Sequence, residues 1–122
     1  MKLHLTNIEG RNTISGYGAG YVTVSRARYE HSLIVLPDRI IENWNASSDQ
    51  ALGAASIGTL ATLGVEIVII GTGETLRFPP PEALRPLIEA SVAFEVMDTR
   101  AACRTFNILM AEGRSVAAAL LL

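Results

Sequence analysis

From Val65 to Leu122 the chain reads as a fixed order of elements, and that order restricts the fold more than any other feature of the sequence. Val65 to Ile70 is a nearly continuous β-branched and apolar run, interrupted only by Glu66 and closed by Gly71-Thr72-Gly73. A proline-marked segment beginning at Pro79-Pro80-Pro81 follows, then a second strand pattern from Val92 to Met97 and an amphipathic stretch from Asp98 to Glu112. A last apolar run, Val116 to Leu122, has about the length of a strand. Strands covered on both faces lack polar alternation, so the first run is placed at the centre of the sheet. This order of strand and helix predicts an α/β sheet.

The first 45 residues have a different texture. Glycines at 16, 18 and 20 lead into Tyr21-Val22-Thr23-Val24, and Ser32 to Leu36 is a short apolar run stopped by the turn pair Pro37-Asp38. Arg39 to Trp44 alternates enough for another strand, so an antiparallel N-terminal unit is expected. The polar Asn45 to Gln50 segment reads as a loop, and Ala54 to Leu63 as a short helix ending before Gly64. With 122 residues the chain is expected to form one domain over 1–122, three layers deep, with a central mixed sheet flanked by helices.

Local chemistry sets the helix limits. Pro81 suits a first helical position, whereas Pro86 falls where an N–H would be needed, so the helix there starts late or kinks. Asp98 or Thr99 can cap the next helix, and Gly113 can end it. At 100° per residue, Ala102, Cys103, Phe106, Leu109 and Met110 share one side of that helix and Arg100, Arg104 and Asn107 the other, with Ile108 off the apolar stripe.

Composition excludes several function classes. A formal charge of −2 offers no basic footprint for nucleic acid. Lys2 is the only lysine beside nine arginines and stands at the terminus, which argues against a Schiff-base lysine. The single cysteine, Cys103, cannot form an internal disulfide, no Cys/His spacing suits a metal, and no cofactor motif is complete. Neither a secretory leader nor an integral membrane segment is expected, so the reading is cytoplasmic, with any membrane contact peripheral.

Candidate residues group at two places. Gly71-Thr72-Gly73 lies where open α/β sheets place ligands, at the carboxyl end of a strand, but it lacks the third glycine of a dinucleotide fingerprint and the Gly-Lys-Ser/Thr ending of a P-loop. Thr72, Gly73, Arg77, Asp98 and Thr99 are the candidate ligand-binding set. Arg100 and Arg104, like charges at i and i+4, join Asn107 and Ile108 as a candidate surface for a protein partner, against the plainer reading of a solvated polar face. Cys103, on the apolar side, reads as a core thiol; His4 and His31 have no acidic partner at a recognisable spacing; and no catalytic set of nucleophile, base and metal emerges.

The strings Gly71-Thr72-Gly73, Phe78-Pro79, Glu95 to Thr99, Ala102 to Leu109 and Glu112 to Leu120 resemble the small single-domain α/β family that includes mitochondrial NADH dehydrogenase (complex I) assembly factor 3 and bacterial relatives. Upstream, Gly16-Tyr17, Tyr21-Val22, Ser32 to Pro37 and Trp44 are similar to that family's N-terminal strands in order and spacing. The resemblance implies a non-enzymatic interaction or assembly factor with a protein partner, in the setting of respiratory complex I or another membrane complex. The second reading is a small-molecule-binding protein or weak enzyme with its pocket near Gly71-Thr72-Gly73 and Asp98-Thr99.

Overall fold

A computed structural model describes residues 10–46 and 52–122. Lys2, His4 and Ser47 to Gln50 of the Asn45 to Gln50 loop lie outside the described residues. Two sheets form. Strands β1 (Ile14–Gly18), β2 (Tyr21–Val24) and β3 (Ala27–Tyr29) make an antiparallel sheet in that order. The larger sheet also contains β4 (Leu33–Val35), β5 (Ile40–Ile41), β6 (Ile67–Gly71), β7 (Ala93–Met97) and β8 (Val116–Leu120), ordered β5-β4-β8-β6-β7. β6 runs parallel to both β7 and β8, while β4 is antiparallel to β8 and β5. The sheet is therefore mixed, as the two textures of the sequence predict.

Three layers result. On one face of the large sheet lie α3 (Thr99–Ala111) and the small sheet, with Phe106, Cys103, Met110, Val22 and Ile14 packed against Leu33, Ile69 and Ala118. On the other lie α1 (Ala54–Leu60), a 3-10 turn over Pro81–Leu84 and α2 (Arg85–Glu89), which cover Ile34, Val68, Ile70 and Ala119. The proline-marked helix both starts tight and stays short: Pro81 opens the 3-10 turn and Pro86 sits in the first turn of α2, where its missing N–H costs nothing.

The caps of α3 follow the sequence. Asp98 accepts a bond from the Ala101 N–H at 2.9 Å. At the far end Gly113, at φ +82°, lets its own N–H reach the Met110 carbonyl while the Arg114 N–H reaches that of Leu109. That pair of bonds is a Schellman stop.

Three expectations shift. The strand expected over Arg39 to Trp44 pairs only at Ile40–Ile41, because Trp44 turns inward and donates its indole N–H to the Ser56 carbonyl at 3.0 Å. The helix expected to reach Leu63 ends at Leu60, where Ala61 caps it and the Thr62 hydroxyl bonds the Thr59 carbonyl. The middle of the sheet is β8, whose Ala117, Ala118 and Ala119 are buried on both faces, and β6 lies beside it.

Candidate functional site

β6, β7 and β8 point their carboxyl ends the same way, and the chain leaves them through Thr72-Gly73, Asp98-Thr99 and Leu121. These exits interlock. The Thr72 N–H donates to the Met97 carbonyl at 2.9 Å, the Thr99 N–H to that of Gly73 at 2.9 Å, and the Leu121 N–H to that of Gly71 at 3.0 Å. Thr99 supplies the crossing point: its buried hydroxyl accepts from the Gly73 N–H and donates to the Leu121 carbonyl, both at 2.8 Å. The hydroxyl of Thr72 is held within its own loop, accepting from the Arg77 N–H at 3.0 Å and donating to the Thr75 carbonyl at 2.8 Å.

The two glycines have separate reasons to be there. Gly73 has φ +101°, a region that β-branched residues avoid. A Cβ on Gly71 would lie 3.0 Å from Thr99 Cα, Thr99 Oγ1 and Ala102 Cβ, so α3 approaches β6 as closely as a bare backbone allows.

Above this junction opens a cleft of about 770 Å3, walled by the β1–β2 turn from Tyr17 to Gly20, the loop from Thr72 to Arg77, Thr99, Arg100 and Leu121-Leu122. Thr72, Gly73, Arg77 and Thr99 of the ligand-binding set share it. Asp98 does not line it; its carboxylate is turned to the first turn of α3. Leu76 and Phe78 are exposed on the same loop, Phe78 at 71%.

Sequence reading missed the part played by Tyr17. The Arg104 guanidinium donates to the Tyr17 hydroxyl at 3.2 Å, and Arg100 stands 5.8 Å from the centroid of the same ring. The hydrogen bond that Arg104 donates to Tyr17 holds the Arg104 pKa above its ordinary value. One aromatic side chain thus contacts both arginines, like charges that are neighbours on the helix. Asn107 is clipped to the small sheet: it accepts from the Ile14 N–H at 2.9 Å and donates to the Ile14 carbonyl at 2.8 Å. Ile108 is 59% exposed.

Cys103 is fully buried, and desolvation pushes its thiol up to about 12, far from the range of a nucleophile. His31 does have an acidic neighbour, contrary to its sequence spacing, because the β4–β5 hairpin brings Glu42 to 3.7 Å; both are exposed. At the opposite end of the sheet, Arg114 bonds Glu66 at 2.9 Å and depresses its pKa. Among the described residues no group of three or more His, Cys, Asp or Glu could hold a metal ion. No described helix is long and apolar enough to cross a membrane.

Residues 14–121 match a family described as a protein of unknown function (DUF498/DUF598). The mouse NADH dehydrogenase [ubiquinone] 1 alpha subcomplex assembly factor 3 is 34% identical over 110 residues, 88% of this chain and 59% of the mouse protein. A "13 kDa major membrane protein" of Francisella tularensis is 27% identical over 117 residues, 95% of each chain. The crystal structure of a Bordetella parapertussis protein superposes with a TM-score of 0.84 at 39% identity, covering 92% of this chain and 96% of the other. The chain spans about three fifths of the length of the mouse relative it matches.

Proposed function

Since the chain belongs to the DUF498/DUF598 family, we propose that it is a non-enzymatic protein-interaction factor that serves the assembly of a membrane-associated complex, with respiratory complex I as the first candidate. The observation that carries this reading is the 34% identity, across 88% of the chain, to a protein named as a complex I assembly factor. The bacterial relative named as a membrane protein supports a place beside the membrane.

The chemistry of these residues agrees with a binding role. Both threonine hydroxyls beneath the cleft are engaged in holding the loops, and the one thiol is buried and protonated. What the surface offers a partner is an arginine pair beside Tyr17 and exposed apolar side chains at Leu76, Phe78, Ile88 and Ile108.

A strain lacking the protein is expected to accumulate incomplete NADH dehydrogenase on native gels, with NADH oxidation by its membranes reduced and the subunits still synthesised. Normal amounts of the full complex would overturn the respiratory assignment. Failure of the tagged protein to retain any specific partner under gentle detergent would overturn the interaction reading itself.

A further inference from the structure

We infer that the outer edge of β7 docks an extended, basic segment of another protein, which adds a sixth strand to the large sheet. The inference rests on the interaction reading for its biological setting and specifies the surface and the kind of partner.

Among the described residues β7 is hydrogen-bonded on one side only, to β6. The Ala93 N–H donates inward to the Glu66 carbonyl and the Met97 carbonyl accepts inward from the Thr72 N–H. Backbone groups alternate in direction along a strand, so Phe94 and Val96 turn their N–H and C=O groups outward. No hydrogen bond within the described residues meets them. Two donors and two acceptors repeating about every 7 Å along a line match the backbone of another strand and little else.

The other edges differ. β5 is two residues long, β3 three, and β1 carries an irregularity between Ile14 and Gly16 and is held at Ile14 by Asn107. β7 has five residues and none of these protections.

The helices on both faces of β7 carry exposed apolar side chains. The Thr105 hydroxyl is 3.4 Å from Met97 Sδ, and Ile108 follows one turn later as α3 runs back antiparallel to β7, which sets it about level with Glu95. On the opposite face α2 covers Phe94 and Val96 and carries Ile88, 61% exposed.

Glu95 decides the occupant. It is exposed at the middle of the strand and makes no ion pair among the described residues. A second copy pairing antiparallel about the middle of β7 would set Glu95 against Glu95, an unfavourable cross-strand pair, whereas a Lys or Arg on an incoming strand completes it. The residue that discourages self-association thus selects a basic partner.

The test places a photoreactive benzophenone side chain at Ile88 or Ile108, and at Arg28 on the small sheet for reference, in the full-length protein in its own cells. Positions 88 and 108 are expected to crosslink one stretch of one partner, bearing Lys or Arg and free of proline, with position 28 silent. A synthetic peptide of that stretch is then expected to slow amide exchange at Phe94 and Val96. Glu95→Lys should weaken its binding about tenfold. Val96→Pro, which removes an outward N–H without touching the β6 ladder, should abolish it. Crosslinks only from position 28, a second copy as the product, or unchanged exchange at Phe94 and Val96 overturn the inference and leave the interaction reading standing. Silence at all three positions overturns this edge, and if the tagged protein also retains no partner, the interaction reading falls with it.

Discussion

The exits of β6, β7 and β8 and the outer edge of β7 lie within a few residues of each other on the same strands, yet they treat their polar groups in opposite ways. At the exits, backbone donors and acceptors close on one another through Thr99, whose single hydroxyl serves both Gly73 and Leu121. At the edge, the outward groups of Phe94 and Val96 meet nothing within the described chain. The contrast teaches where a fold of this kind keeps its binding capacity. A motif shaped like a ligand turn can be a device for locking strand to helix, while a strand with no sequence motif holds unanswered hydrogen-bonding capacity.

The hardest blow to the locked region is Gly71→Val. A Cβ there meets the backbone of Thr99 as well as the Ala102 side chain at 3.0 Å, so α3 must move off the sheet. Overpacking of this kind is expected to cost about 3 kcal/mol, read as a fall in the urea midpoint without a change in slope. A cost under about 1 kcal/mol would mean that the junction yields and that the contrast with the edge is false.

Thr99→Val comes next. The shape is kept, but the Gly73 N–H and the Leu121 carbonyl lose their partner away from water, for a cost of about 2 kcal/mol. Thr99→Ser, which restores the hydroxyl, should recover most of it. If valine were as stable as threonine, water or a loop shift would be answering those groups, and the exits would be as open as the edge.

Beneath α3, Cys103 gives the locked region a pH signature. The folded thiol stays protonated up to about 12, while the unfolded one ionises near its ordinary value of 9.0. Above that value the unfolded state binds fewer protons than the folded state, so stability falls as pH rises, by about 1.4 kcal/mol per unit between the two values. Below pH 9 this contribution is fully present. The difference in unfolding free energy between the native protein and Cys103→Ala should therefore be flat below that pH and narrow above it; a flat difference throughout would mean that water reaches the thiol.

How much of this was legible in the sequence depends on how far apart the partners are. β6, β7, α3, the Asp98 cap and the Gly113 stop rest on neighbours within a turn, and they stand where periodicity and capping put them. The early end of β5 was not legible, because Trp44 leaves the strand to bond Ser56, twelve residues on. The cleft was legible in part: Thr72, Gly73, Arg77 and Thr99 meet there, but Tyr17 and Leu121 come from the two ends of the chain. Asn107 belongs to neither a solvated face nor a simple core, since its amide answers Ile14 across 93 residues. The open edge depends on strand order, and only the assembled sheet shows that β7 has one neighbour among the described strands.

The smallest expected effect sharpens the comparison most. Ile88→Ser and Ile108→Ser remove apolar side chains that are mostly in water already, 61% and 59% exposed, so each should change the unfolding free energy by less than about 0.5 kcal/mol. Had these side chains been retained for the fold, truncation would uncover core packing and cost several times more. Ile108 stands one position from Asn107, which binds the small sheet, and two from Met110, which is buried. Its exposure is therefore a property of the β7 side of α3 and not of a loose helix. Stability unchanged by either substitution, together with the loss from Gly71→Val, would separate the residues that close the fold from those that remain available to a partner. A loss above about 1 kcal/mol at Ile108 would place it in the fold's own packing and remove one wall of the proposed docking edge.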